Sequence, residues 1–378
     1  MTDEERAGLP EVARLMVRLC EIPSPSRHEG AVAAVVRAEL GALGAEVSED
    51  DAAEVLPAGC GNIVARFPPT AEGGTPIMLG AHLDTVPPVG PIDVELVDGF
   101  LTNRHPAILG GDDKSAVAAF LVAMRRVRDE GIPHAGVELV MTPCEEIGLR
   151  GAAHFDPSVL RARYGFVFDH TGDLGGVVGA APSLRRIEAT FVGRPAHAGI
   201  LPEEGRSAID AAARAIARMP LGRIDPETTA NVGTIAGGTA TNVVSERCTI
   251  TAECRSRSER ALAAQLTAML DALTWAASEG EVDLETVVHN EFTGYRLTER
   301  EPQVSLAMRA LAASGHTPRL VATGGGSDVN AFLLRGFPAV NLCNGMIDIH
   351  TSDERVAVVT LEQMVEVTLA LLAEARAE

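Results

Sequence analysis

Residues 137–148 read VELVMTPCEEIG, an apolar run of strand length, a proline turn, and then two adjacent glutamates. A short apolar run of this kind is the signature of a strand buried on both faces. Working outward, the design recurs at residues 77–86, IMLGAHLDTV, and at residues 164–172, YGFVFDHTG, and Pro338 to Leu342 reads as a further strand. Stretches of helix length lie between these runs. Ser26 is placed to cap a helix from His28 to about Leu43, stopped by Gly44. Asp112 or Asp113 opens another through Ala116, Phe120 and Met124, and a last one runs from Thr360 to Ala375, with Thr360 and Gln363 spaced as a capping box. Asp98-Gly99, inside Val94 to Leu101, is a strong hairpin signal. The alternation predicts an α/β domain with a mixed sheet between helices.

Between residues 183 and 289 the rhythm changes. A strand from Leu184 to Val192, a helix from Arg206 to Met219, two strands around Ala230 to Cys254, a helix from Glu259 to Ser278 and a strand from Val282 to His289 follow one another. That order predicts an α+β domain, two helices on one face of a small antiparallel sheet, inserted into the first. The expected division is residues 1–182 with 290–378, and 183–289 as an inserted lid or dimerisation domain.

Composition narrows the function classes. With 32 basic against 52 acidic residues, a formal net charge of -20 leaves no basic footprint for nucleic acid or an anionic membrane surface. No apolar stretch is long enough to span a bilayer, and the acidic start, MTDEERAGLPEVARLM, does not read as a signal peptide. The six cysteines are scattered without a CxxC pair, which fits small buried hydrophobes in a reducing cytoplasm. Lys114 is the only lysine of the chain and sits beside two aspartates in GGDDKS, which hints that an ammonium is needed there.

The chemistry gathers beyond the carboxyl ends of the predicted strands, where open α/β sheets place their ligands. His82 and Asp84 follow one strand, Glu145 and Glu146 another, Asp169 ends a third, His350 lies a short loop beyond the last, and Asp112 precedes a helix. Each alone is an ordinary turn or capping residue, whereas their joint placement points to a metal centre. Asp84, two residues beyond His82 in an extended chain, shares its face and can accept the second imidazole N–H.

The motifs HLDTV, GDDK, EEIG, GRPAHAG, GGTATNV, GGGSD and IHTSDE together resemble the zinc aminoacylase and carboxypeptidase family that includes peptidase T, succinyl-diaminopimelate desuccinylase and glutamate carboxypeptidase, most of all its peptidase T-like members. The resemblance covers nearly the whole chain. It implies two zinc ions, cobalt or manganese being possible substitutes, with His82 and Asp169 on one, Glu146 and His350 on the other, and Asp112 bridging. Imidazole and carboxylate donors suit zinc in a hydrolytic site, and three ligand carboxylates with one hydroxide balance two divalent ions, which limits the penalty of burying charge. Glu145, not needed as a ligand, is then the general base that takes a proton from the attacking water and returns it to the leaving amine. His170, directly after Asp169, could in principle face the metal instead; Asp169 is preferred because two histidines already serve.

By the same resemblance His197 comes from the partner subunit of a homodimer to polarise the scissile carbonyl. Asn242 and Arg255 would contact the substrate's backbone or carboxylate, with Gly324 and Gly325 offering backbone N–H groups, although Arg255 could equally pair with Glu253 or Glu259. The expected activity is a small-peptide aminopeptidase, with an N-acyl- or N-carbamoyl-amino-acid amidohydrolase or a carboxypeptidase as alternatives, and a non-catalytic binding protein as the contrasting reading.

Overall fold

The structure is a computed structural model and describes residues 1–378, the side chain of Asp3 excepted. Two compact units are present: Met1–Gly179 with Arg296–Ala322 and Ser327–Glu378, and Ala180–Tyr295 with Thr323–Gly326.

The first unit is built on a mixed sheet. Its strands lie in the order Glu46–Glu49, Ile63–Phe67, Val137–Thr142, Ile77–His82, Tyr164–His170, Ala339–Cys343 and then Gly176–Ala181. Four neighbours, Val137–Thr142, Ile77–His82, Tyr164–His170 and Ala339–Cys343, run parallel, and antiparallel strands flank them. The parallel strands are buried almost throughout, as their mainly apolar runs require. Val94–Val97 and Phe100–Asn103 form the expected hairpin, with Asp98 at φ 50° and Gly99 at φ 84°, and Arg355–Ala357 pairs with it.

The helix Gly111–Glu130 crosses this sheet, and its apolar positions Ala116, Val117, Phe120, Leu121 and Met124 are buried. Phe120 meets Phe168 edge to face, ring centroids 5.3 Å apart, a contact worth about 0.5–1.5 kcal/mol beyond its burial. Gly131, at φ 66°, stops the helix in the left-handed conformation that glycine adopts without strain. Helices Glu11–Cys20 and Val358–Arg376 cover its other side.

Three helix starts differ from expectation. The helix expected from His28 spans Gly30–Ala42, and its N-cap is Glu29; the Ser26 hydroxyl instead donates to Asp84 Oδ2 at 2.6 Å. The last helix begins at Val358, before Thr360, and no side chain caps it. Asp112 and Asp113 depart from helical dihedrals and are joined by a cis peptide, so the regular helix starts after them.

In the second unit the antiparallel sheet runs Gly222–Asp225, Thr228–Gly237, Arg247–Ser256, Ser183–Val192, Asp283–Phe292. Helices Ala208–Arg218 and Glu259–Gly280 pack on it around Ile187, Phe191, Ile250, Leu262, Met269 and Leu273. No helix among the described residues is long and apolar enough to cross a membrane, and all six cysteines are buried and free.

Candidate functional site

His82 is the last residue of its strand, Asp169 the penultimate residue of the neighbouring one, and Glu145 and Glu146 stand in the turn after Val137–Thr142. The parallel strands therefore deliver all four to one end of the sheet. Asp112 reaches them from the helix start, and His350, at φ 63°, from the loop after Ala339–Cys343.

Asp112 is the centre of the arrangement. Its Oδ1 lies 3.3 Å from His82 Nε2 and its Oδ2 3.2 Å from His350 Nε2. His350 Nε2 is also 2.9 Å from Glu146 Oε1, and His82 Nε2 is 3.9 Å from Asp169 Oδ1. One donor atom each from His82, Asp112 and Glu146 lies within 4.8 Å of the others. His82 and Asp112 are buried, whereas the His350 side chain is 44% exposed, so the cluster opens toward solvent on that side. Asp169 is held in place through its backbone, donating to Asn341 Oδ1 at 2.9 Å and accepting from Asn341 Nδ2 at 2.7 Å.

The electrostatics are those of crowded acids that two imidazoles compensate only in part. Burial first, and the neighbouring Asp169, push the Glu145 carboxyl well above the usual carboxylate range; burial and Asp112 do the same to Asp169. Burial also works to raise Asp112, but the imidazoles of His350 and His82 outweigh it and hold that carboxyl low. Asp112 and Glu146 raise His350 to about 10. The donor set fits a divalent cation: imidazole nitrogens and carboxylate oxygens converge, and the buried Asp112 Oδ1 accepts no hydrogen bond among the described residues.

Asp84 works differently from expectation. His82 Nδ1 makes its hydrogen bond to the Asp84 backbone carbonyl at 2.9 Å, while the carboxylate stands 3.6 Å away. That carboxylate instead accepts the backbone N–H of Glu145 at 2.8 Å and of Glu146 at 3.1 Å. Glu29 accepts the N–H of Cys144 at 2.9 Å, one residue earlier, where Cys144 adopts φ 56°. The turn carrying both glutamates is thus pinned at three successive amides by two buried carboxylates. The sequence reads Ser26 only as a helix cap and gives Glu29 no role; both lie in the segment before the Gly30 helix, and nothing in their spacing marks them as supports of this turn. Lys114, singled out as the sole lysine, is buried and donates to the Ile22 carbonyl at 2.8 Å.

The remaining candidates, His197, Asn242, Arg255, Gly324 and Gly325, belong to the second unit. His197 and Asn242 are exposed and brought together by backbone pairing, the Ala198 N–H donating to the Asn242 carbonyl at 2.9 Å. Arg255 is paired with Glu253, through Nε at 2.8 Å and Nη2 at 3.1 Å, which leaves less of its fork for a substrate than expected. The Gly325 N–H is already donated to Thr323 Oγ1 at 3.0 Å, so of the two glycines Gly324 is the better placed to offer an amide.

Residues 62–181 match the model of peptidase family M28, and residues 182–281 that of a peptidase dimerisation domain. The chain is similar to the aminopeptidase PepT of Bacillus cereus, with 37% identity, 97% of this chain and 98% of that one covered, and a TM-score of 0.84. A tripeptidase of Staphylococcus aureus is 32% identical with a TM-score of 0.89, covering 97% and 98% of the two chains. The Bacillus subtilis protein YqjE is 36% identical over 359 residues, which is 95% of this chain and 96% of that protein. With this identity sustained along the whole length of both chains, the protein belongs to the M20- and M28-type metallopeptidase family, among its peptidase T-like members.

Proposed function

We propose that the protein is a two-zinc aminopeptidase acting on di- and tripeptides. The observation that carries the reading is the Asp112 carboxylate, which presents one oxygen to His82 and the other to His350. His82 and Asp169 would hold one ion, Glu146 and His350 the other, and Asp112 both. Such a pair of ions supplies Lewis acidity and acidifies water.

The chain's own residues do the rest. Glu145, buried beside the ligands and not among them, takes the proton of the attacking water and delivers it to the leaving amine. Cations at the ligand carboxylates favour its ionised form, which burial alone opposes. Asp84 and Glu29 fix the turn, so that Glu145 and Glu146 keep separate tasks although adjacent. His197, acting across a homodimer, polarises the scissile carbonyl, with Asn242 and Gly324 positioning the peptide; the match to a dimerisation domain supports this arrangement. The aminopeptidase and tripeptidase relatives support peptides as substrates.

The test is a panel of di- and tripeptides beside N-acetyl, N-succinyl and N-carbamoyl amino acids, assayed with zinc, cobalt and manganese. Release of the amino-terminal residue from tripeptides is expected to dominate. Turnover confined to the N-acylated compounds would replace the aminopeptidase with an amidohydrolase.

A further inference from the structure

Glu354 closes the IHTSDE motif, four residues after His350, and is 1% exposed. Its carboxylate accepts four consecutive backbone N–H groups from the far side of the sequence. Oε2 takes Leu109 at 2.8 Å and Gly110 at 3.0 Å; Oε1 takes Gly111 at 2.7 Å and Asp112 at 3.2 Å. These amides lie in the kinked segment ahead of the regular helix, where buried N–H groups need a partner, and Gly110 and Gly111 supply no side chain to meet them. Glu354 satisfies all four, and its negative charge stands just ahead of the positive end of the regular helix that follows Asp113.

The glycine pair makes the approach possible. Gly110 turns the chain at φ 75°, and a Cβ on Gly111 would stand 3.3 Å from Glu354 Oε1, 3.2 Å from Val356 and 2.9 Å from Met16. On its own side, Glu354 is anchored by the reciprocal Ile347–Arg355 backbone pair, with both bonds 3.1 Å, which closes the loop carrying His350. One carboxylate thereby ties the segment bearing Asp112 to the segment bearing His350.

We infer that Glu354 is a positioning residue that sets the spacing between Asp112 and His350, and through it couples the two metal positions. The inference rests on the two-metal reading above. It assigns Glu354 no contact with metal or substrate. Glutamine at this position keeps the shape but turns an amide N–H2 toward two of the four donors, so the loop must shift.

The experiment is a cobalt titration of the full-length metal-free protein, followed by its visible absorption spectrum, with kcat and KM for a tripeptide measured in parallel. Wild type is expected to bind two equivalents. In Glu354→Gln the weaker equivalent is expected to lose about 10- to 100-fold in affinity with an altered spectrum, and kcat to fall while KM holds. Glu138→Gln is the matched control, because Glu138 is buried and accepts the N–H groups of Arg161 and Ala162, both at 2.8 Å, at the opposite end of its strand. It should lower the melting temperature and leave the titration unchanged. If Glu354→Gln does not fold, Glu354→Asp, which keeps the charge and loses reach, is expected to show the same change in smaller measure. A Glu354 variant that melts lower yet keeps the wild-type titration, spectrum and kcat overturns the positioning role. Wild type that takes up fewer than two equivalents overturns the two-metal reading itself.

Discussion

Asp84 shows how much a single side chain can be read, and where reading stops. Its place on the face of His82 follows from a spacing of two in an extended chain. Its partners do not, because the amides of Glu145 and Glu146 lie about sixty residues away in sequence and are aimed by a turn that only the folded sheet creates. Asp84→Asn puts an amide N–H2 against one of those donors, whichever way it turns. A loss of about 1–3 kcal/mol is expected in denaturant unfolding, against about 1 kcal/mol for Ser26→Ala, which removes one hydrogen bond. Equal losses would mean that the turn does not depend on the carboxylate. The crowded acids make a second prediction. Burial pushes Glu145 and Asp169 well above their ordinary values and Asp328 up to about 6, while Asp112 and Glu146 raise His350 from 6.5 to about 10. Each group holds its proton more tightly folded than unfolded, so its contribution is full below the ordinary value and is lost as pH rises through the folded one. Asp112 has the opposite sign below that window, and His134, His170 and Lys114, all lowered by burial, oppose the fall within it but are outnumbered by the raised groups. The melting temperature of metal-free protein should therefore fall between about pH 5 and about pH 9, and zinc should flatten the slope. A metal-free protein that grows more stable over that range would contradict the arrangement of charges.

At the scale of elements, the parallel strands and the helix through Ala116, Phe120 and Met124 were legible because local signals agree: apolar runs of strand length and a helical apolar period. Helix starts were not, and the reason is common to them. Ser26 and Thr360 have the residue types of caps, but Ser26 bonds to Asp84, and the helix at Thr360 starts two residues earlier. The segment leading into the third is held by Glu354, more than two hundred residues away, which no local pattern encodes. The candidate site inherits this division: His82, Asp169, Glu145 and Glu146 sit at or just beyond strand ends, where sequence reading is strong, while the supports of the glutamate turn and of Asp112 come from distant segments. Phe120→Ala removes the ring that packs the helix on Phe168, next to Asp169. About 3–5 kcal/mol of stability is expected to go with it, and zinc affinity should weaken along with it. Unchanged zinc affinity in a folded Phe120→Ala variant would show that the helix can shift without disturbing Asp112.

For the molecule as a whole, the insertion of an α+β unit into an α/β unit was visible as a change of rhythm, and the two family matches fall on either side of residue 182. The role proposed for His197 requires two copies. Light scattering should return about twice the 39.6 kDa chain, and His197→Ala should lower kcat with metal content unchanged. A fully active monomer would remove His197 from the reaction. The central claim, that water is activated by Glu145 at a two-metal centre, meets its most direct test in Glu145→Gln. Metal equivalents and tripeptide turnover would be measured on the same preparations of variant and wild type. The account predicts two equivalents in both and a loss of about 100- to 10,000-fold in kcat in the variant. Turnover near the wild-type rate with both metals bound would contradict it.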